Sequence, residues 1–160
     1  MGAPGESSAS SQLLVMRVRA QLCAVPISHV VETCRPLPTE PLPGAPSFVT
    51  GLALIRARAT PVVDARRLLG HASNDAPARY VTLRLGAEGS RVVALAVDEV
   101  VGARDIAKRQ LESLPGLLGA NQSLLQALGT LDSELLLLIE HTRLLPEAVW
   151  VELERERASA

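Results

Sequence analysis

The sequence predicts an all-β protein with a few short helices, built from two related halves within 160 residues. Short apolar runs alternate with turn residues about every 8–12 positions, which is typical of small barrels rather than of a parallel sheet. The second observation is a repeat, because residues 51–69 align with residues 127–145 without a gap at an offset of 76. A shorter match aligns residues 23–31 with residues 93–101 at an offset of 70.

The repeat aligns residues of the same chemical type. The aligned positions are Asp64 with Glu140, Arg67 with Arg143, Leu68-Leu69 with Leu144-Leu145, and Val62-Val63 with Leu138-Ile139. Two copies of one supersecondary plan in a short chain predict a pseudo-symmetric protein in which equivalent strands build equivalent sheets. Duplicated apolar strands indicate a scaffold rather than a catalytic site.

The first half is predicted to begin after a disordered tail at residues 1–11, which is rich in Gly, Ser, Ala and Pro. Its elements begin with a strand hairpin at 13–18 and 21–25 and one or two helical turns at 27–33. An extended connector at 35–46 then leads to two more strands, at 48–57 and 59–64, and to a short helix at 65–69. The connector contains five prolines, which exclude a helix or a central strand there.

The second half is predicted to repeat this order after a polar break. Its elements begin with two strands, at 80–85 and 91–97, and a short helix at 98–101. A longer segment of loop and helix at 106–118 and 124–128 then leads to two final strands, at 128–131 and 134–140. A charged helix is predicted over residues 147–160. The ordered domain is therefore expected to span residues 12–146, as two interleaved barrel halves at approximately 12–78 and 79–146.

The composition predicts an aliphatic interior, since 48% of the residues are apolar and only Phe48, Tyr80 and Trp150 are aromatic. A chain of this length buries roughly 70% of its unfolded surface and needs neither metal nor disulfide to fold. A net charge of −1 gives no general attraction for nucleic acid or acidic lipid. No signal-peptide pattern or membrane-length apolar run is present, so we expect a soluble, cytoplasmic protein without direct membrane insertion.

Residues that often carry catalysis or bind metals do not form a recognisable constellation. His29, His71 and His141 are isolated and are predicted to be surface or capping residues. Asp98 and Glu99 are neighbours, and neighbouring strand residues point to opposite faces, so they are predicted to be solvated turn acids. No phosphate-binding glycine loop is present. The sequence therefore predicts no enzymatic activity, no cofactor and no metal.

Cys23 lies within an apolar run and is predicted to be a buried, unpaired thiol. The densest basic cluster comprises Arg56, Arg58, Arg66 and Arg67. Nucleic-acid binding at such a cluster needs aromatic side chains for base stacking, and this region has none. These arginines are therefore predicted to be solvated or to contact an acidic protein partner, with Arg56 exposed.

Three segments of the chain resemble CheW-like coupling proteins of bacterial chemotaxis. Residues 43–66 resemble the signature segment of that family, residues 92–101 its central strand, and residues 128–145 its closing strand and acid-Leu-Leu stretch. The segments occur in the family's order, and the resemblance covers about residues 12–146.

The resemblance implies two five-stranded, SH3-like barrels related by a pseudo-two-fold axis around a shared core. It also implies a non-catalytic adaptor that joins the cytoplasmic tip of a methyl-accepting chemoreceptor to the regulatory domain of a CheA-like histidine kinase. The partner-binding positions of the family correspond to Val30, Glu32 and Arg56.

The chain departs from the family pattern at several positions. Leu54 replaces the usual asparagine, Ala65 replaces a leucine, and Ala57, Ala127 and Ser133 stand where glycines are common. The chain is thus similar to divergent family members such as FrzB of the Frz gliding-motility system. Two alternatives remain: a divergent modulator that has lost its kinase or its receptor partner, and a double barrel that binds a small molecule or an oligonucleotide.

Overall fold

The structure of the protein is a computed structural model that describes residues 10–72, 75–86, 90–107, 112–113 and 125–159. Its strands are β1 (Ser10–Val18), β2 (Gln21–Pro26), β3 (Val30–Cys34), β4 (Thr39–Glu40), β5 (Val49–Ile55), β6 (Arg58–Asp64), β7 (Arg79–Leu85), β8 (Arg91–Val97), β9 (Glu99–Ala107), β10 (Glu112–Ser113), β11 (Leu125–Leu131) and β12 (Glu134–Ile139). The helices are α1 (Ala65–Leu68) and α2 (Glu147–Ser159), with two 3₁₀ turns at Ile27–His29 and His141–Arg143.

The strands form two six-stranded sheets with equivalent orders. The first sheet has the order β10-β11-β12-β2-β1-β9, and the second has the order β4-β5-β6-β8-β7-β3. Each sheet contains five strands of five or more residues and one two-residue strand at an edge. Neighbours are antiparallel except for two pairs, β12 with β2 and β6 with β8, which are parallel. Both parallel pairs join a strand of the first half to a strand of the second, so each sheet is built from both halves.

The strand registers confirm the predicted equivalence of the two halves. In the β5–β6 hairpin Gly51 is opposite Val62, and in the β11–β12 hairpin Ala127 is opposite Leu138, again at an offset of 76. The parallel pairs are also equivalent, since Val62 faces Ala94 and Leu138 faces Ala24. The halves are therefore related by pseudo-two-fold symmetry, with Val62-Val63 and Leu138-Ile139 on equivalent strands.

Both sheets are apolar on both faces, which explains the aliphatic composition. One face of each sheet contributes to a shared core that also receives Trp150 and Leu153 from α2. The opposite faces form two smaller clusters, Leu13, Val15, Leu22, Ala24, Ile106, Leu136 and Leu138 in the first sheet and Ala53, Ile55, Val62, Tyr80, Ala94 and Ala96 in the second. This arrangement of three cores is consistent with two SH3-like barrel subdomains packed around a common interior.

Several predicted elements were wrong. The helical segment predicted at 27–33 is a 3₁₀ turn only at Ile27–His29, and the one predicted at 98–101 is a bend followed by β9. In both places the β-branched residues that follow favour a strand, and pairing with β7 or β1 stabilises it.

Other boundaries also differ from the prediction. Residues 125–128, predicted to end a helix, are strand β11, and β1 begins at Ser10 within the predicted tail. The remaining loop and helix predicted over residues 106–118 lie largely outside the described residues, because only 106, 107, 112 and 113 of that stretch are described.

The prediction that Cys23 is buried and unpaired is confirmed. Cys23 has no exposed surface, Cys34 is partly exposed, and both thiols are free. Burial raises the pKa of the Cys23 thiol to about 12, while burial and then the Glu32 carboxylate raise the pKa of Cys34. The thiolate is the nucleophile in alkylation, so both effects slow the reaction, and the inaccessibility of Cys23 slows it further.

We predict that a Cys34→Ser variant, which retains only Cys23, reacts with a maleimide much more slowly than the matched Cys23→Ser variant, which retains only Cys34. Mass spectrometry of the native proteins at pH 7.5 measures the two rates, and denatured samples provide the control for intrinsic reactivity. Equal native rates would contradict the buried position of Cys23.

Candidate functional site

The structure brings together two of the three predicted partner-binding residues. Arg56 lies in the turn between β5 and β6, and its Nε donates a hydrogen bond to Glu32 Oε2 on β3 at 2.5 Å. The Arg56 side chain is 78% exposed and the Glu32 side chain 24% exposed. The hydrogen bond and charge of Glu32 raise the pKa of Arg56, so the guanidinium is fully charged in this pair.

The pair also connects distant parts of the second sheet. Strand β3 lies at one edge, whereas β5 is separated from it by β6, β8 and β7. A flat sheet would hold these strands several interstrand spacings of about 4.8 Å apart. The direct contact between Arg56 and Glu32 therefore shows that the sheet curls until its two sides meet, as in a barrel.

The backbone of Glu32 is fixed by a side chain of the neighbouring strand. A bulge between Val30 and Glu32 interrupts the ladder with β7, leaving Val31 without a directly opposite residue. Thr82 Oγ1 accepts a hydrogen bond from the Glu32 amide and donates one to the Glu32 carbonyl, both at 3.1 Å. Thr82 thus replaces the backbone partner that the bulge removes, and it sets the position from which Glu32 reaches Arg56.

Val30 lies on the same strand but is oriented differently. It is partly buried and packs against the shared core, whereas Val31 at the bulge is 41% exposed. Among the described residues of β3, Val31 is therefore the exposed large apolar side chain. The partner-binding position that the family resemblance implies on this strand is Val30, the less exposed of the two valines.

The β5–β6 turn has a left-handed backbone at both residues. Arg56 has φ of 50° and Ala57 has φ of 62°, which is the geometry of a two-residue hairpin turn that usually favours glycine at the second position. The equivalent turn between β11 and β12 has φ of 51° at Asp132 and 69° at Ser133. The absence of glycine at Ala57 and Ser133 has therefore not changed the turns, and each left-handed residue costs roughly 1–2 kcal/mol. The sequence predicted the turn at Arg58, between strands at 48–57 and 59–64, whereas β5 ends at Ile55 and Arg56 is a turn residue.

An exposed leucine lies near the end of β5, the strand that leads into the Arg56 turn. Leu54 precedes Arg56 by two residues and is 69% exposed, the largest fraction among the exposed large apolar residues of the described chain. Its cross-strand neighbour is Ala59, which offers little surface to cover it. The departure from asparagine at this position thus adds an exposed apolar side chain two residues before Arg56.

The prediction that the whole arginine cluster is solvated was wrong for Arg66. Its side chain is 3% exposed and lies 3.4 Å from Asp64 Oδ1 and 3.5 Å from Asp98 Oδ1, and it also donates to the carbonyl of Asp75 at 2.5 Å. Asp98 in turn accepts a 2.6 Å hydrogen bond from the amide of Arg19. This network, in which Arg66 is buried, joins α1, the bend before β9 and the β1–β2 turn, so Asp98 is a structural acid rather than a free turn carboxylate.

A second prediction that was wrong concerns the histidines. His141 is 6% exposed, and its ring lies against that of His29 with the centroids 4.2 Å apart and the planes inclined at 41°. Neither ring nitrogen of His141 has a hydrogen-bond partner in the part of the chain that the structure describes. The repeat alignment contains the relevant signal, because His141 is equivalent to Ala65, which is also buried.

The described residues contain no group of three or more His, Cys, Asp or Glu side chains that could hold a metal ion. No helix in the described part of the chain is long and apolar enough to cross a bilayer. A cavity of about 550 Å³ lies beside the proline-rich connector, with Arg66, Arg67 and Asp64 in its lining. Asp64 lies 3.4 Å from Arg66 and 3.8 Å from Arg67, so these three charged groups form ion pairs within the cavity lining.

The fold and this site define a protein-interaction domain with two interleaved barrels and an exposed ion pair on a hairpin turn. Residues 12–149 match the CheW-like domain family, and the chain belongs to that family. This finding confirms the resemblance seen in the sequence.

Individual relatives agree with this assignment. Chemotaxis protein CheW of Rhizobium meliloti (strain 1021) is 31% identical over 106 residues, which cover 66% of this chain and 68% of that protein. Protein FrzA of Myxococcus xanthus is 30% identical over 153 residues, covering 93% of this chain and 90% of that protein. The crystal structure of the scaffolding protein TtCheW from Thermoanaerobacter tengcongensis has a TM-score of 0.72 and 18% identity, covering 82% of this chain and 89% of that one.

The left-handed turn leads to a prediction about stability. Ala57→Gly should raise the free energy of unfolding by about 1 kcal/mol, because glycine removes the strain of a β-carbon at positive φ and this gain exceeds its entropic cost. The matched control is Ala59→Gly on strand β6, which should lower stability instead. Urea unfolding of the three proteins measures both changes, and an Ala57→Gly variant less stable than wild type would contradict the strained turn.

Proposed function

We propose that this chain is a non-catalytic coupling adaptor that acts in the cytoplasm in a chemotaxis or motility pathway. Its partners are the cytoplasmic tip of a methyl-accepting chemoreceptor and the regulatory domain of a CheA-like histidine kinase. Membership of the CheW-like domain family supports this role. The observation that carries the proposal is the contact between Arg56 and Glu32, because two positions that are distant in sequence form one exposed charged feature.

The geometry suits recognition of a protein surface. The hydrogen bond to Glu32 restricts the orientation of the Arg56 guanidinium, which reduces the side-chain entropy lost when a partner binds. An arginine next to exposed apolar side chains is a common composition for the centre of an interface. Here those apolar side chains are Leu54 and Val31. A partner segment that offers an acceptor group to Arg56 and an apolar side chain to Leu54 fits this surface.

The role of a modulator that has lost one partner is a second candidate, supported by Leu54. Replacing a polar surface residue by leucine at the edge of an interface changes which partner groups can be accommodated. Separate titrations with the receptor tip and the kinase domain distinguish the two roles, because a modulator binds only one of them.

The ion pair leads to the functional prediction. Arg56→Glu should unfold at nearly the same temperature as wild type, since ion pairs of exposed side chains contribute little to stability. The same change should weaken binding to at least one partner by about 30-fold or more, because it replaces an attractive charge by a repulsive one in the interface. Binding titrations with both partners measure the loss, and thermal unfolding provides the folding control.

Two further variants show whether Arg56 acts on the partner or only on Glu32. Arg155→Glu removes a similarly exposed arginine, 71% exposed and paired with Glu152 on α2, and should bind like wild type. A double variant with Arg56→Glu and Glu32→Arg restores the internal pair but not the charge presented at the turn. If the double variant binds as wild type does, the pair only holds β3 in place, and direct recognition by Arg56 is wrong.

A further inference from the structure

The His29–His141 contact joins the turns that follow two neighbouring strands of the first sheet, β2 and β12. His29 ends the 3₁₀ turn after β2 and lies directly before β3, whereas His141 begins the 3₁₀ turn after β12. His29 Nδ1 lies 3.2 Å from the carbonyl of Arg84 on β7, so this nitrogen carries the proton and donates the hydrogen bond. Both turns pack against β7. The rings therefore fix the start of β3 to the end of β12.

The contact is suited to neutral rings only. A buried imidazolium needs acceptors for two N–H groups, and His141 has none for either ring nitrogen among the described residues. Two imidazolium rings with centroids 4.2 Å apart also repel each other in a poorly solvated site. Protonation is thus favoured only after the His141 turn has moved away from His29 and into water.

We propose that the His29–His141 contact is an acid-sensitive latch, which holds β3 in position at neutral pH and releases it on acidification. The segment released is functional, because Val30 follows His29 directly and Glu32 forms the pair with Arg56. The latch itself is independent of the partners' identity, whereas its effect on binding rests on the proposed function.

The charged groups around the latch do not offset this effect. Glu140, the residue before His141, favours the protonated ring, but burial and then His29 lower the pKa of His141. The Glu140 carboxylate already accepts a 2.7 Å hydrogen bond from Thr142.

The arginines near the latch are exposed or already paired. From β7, Arg84 presents its carbonyl to His29, and the Arg84 side chain is exposed. From β1, Arg17 is engaged by Glu134 at 3.0 Å and Glu99 at 4.0 Å, and within the turn Arg143 is exposed.

The direction of the pH dependence follows from linkage. The pKa of His141 is lower in the closed form than in the released form, where it takes its ordinary value of about 6.5. The closed form is therefore fully favoured above that pH and loses stability as the pH falls below it. One proton changes the equilibrium between the two forms by at most about tenfold per pH unit.

Amide hydrogen exchange of Val30–Cys34 tests the latch directly. Protection factors, corrected for intrinsic rates, should fall about three- to tenfold between pH 7.5 and pH 5.5 in the wild-type protein. In His141→Phe, which keeps a ring of similar size but cannot be protonated, the fall should be less than about twofold. His71→Phe alters an exposed histidine and should behave like wild type. Equal losses in wild type and His141→Phe, or unchanged protection in wild type, would overturn the proposal.

Two other measurements keep the test independent of any single variant. The ring-proton NMR titration of His141 in the wild-type protein should have a lower midpoint than in the urea-unfolded chain, because protonation requires release of the turn. Equal midpoints in the folded and unfolded chains would count against the latch. His29→Phe removes the like charge while His141 remains titratable, so its protection should fall less than that of wild type. A fall equal to that of wild type would exclude His29 from the latch.

Binding is measured in a separate arm with the receptor tip and the kinase regulatory domain at pH 7.5 and pH 5.5. Affinity should fall about threefold or more in wild type and His71→Phe but not in His141→Phe. If no partner binds at either pH while exchange at β3 still depends on His141, the proposed function fails and the latch stands. If partners bind equally well at both pH values while β3 is released, the latch does not regulate binding.

Discussion

The two parallel strand pairs, β2 with β12 and β6 with β8, are the contacts on which the rest of the structure depends. Each pair joins strands of different halves of the chain, so neither sheet is complete within one half. The pairs also place apolar strand faces from both halves in the same interior. A short aliphatic chain thereby obtains one large shared core in addition to its two small barrel interiors, which compensates for its few aromatic side chains.

The position of the candidate site follows from this arrangement. Because β8 lies between β6 and β7, the hairpin that carries Arg56 belongs to the same sheet as the edge strand that carries Glu32. Curling of that sheet then closes the distance between them. The equivalent turn in the first sheet carries Asp132 in place of Arg56. The two barrels thus have the same backbone conformation at this turn but present side chains of opposite charge. The symmetric fold therefore has two chemically distinct surfaces.

The repeat predicted much of the fold because equivalent backbones preserve apolar spacing: β5 at 49–55 and β11 at 125–131 differ by the same 76 residues that separate the aligned sequences. The exposure of Arg56, predicted from its place in the arginine cluster at a strand end, is also confirmed. Properties that depend on tertiary neighbours were not predictable in this way. The bulge at Val31 depends on pairing with β7, and the burial of His141 depends on the packing of a turn. The burial of Arg66 depends on the Asp98 carboxylate and the Asp75 carbonyl, which are distant in sequence. Sequence periodicity indicates which apolar residues share a face of a strand or helix. It does not indicate which polar side chains are buried with hydrogen-bond or ion-pair partners in the protein interior.

The dependence of each sheet on both halves is tested most directly by producing residues 1–78 and 79–160 as separate chains. The first chain contains β1–β6 and the second β7–β12 with α2, so each lacks strands that both sheets require. Alone, each should give an amide NMR spectrum with little dispersion and no protected amides. An equimolar mixture should recover the spectrum of the intact protein through the two parallel strand pairs. A dispersed spectrum with protected amides from either chain alone would show that one half folds independently, and would contradict the interleaved sheets as the basis of the structure.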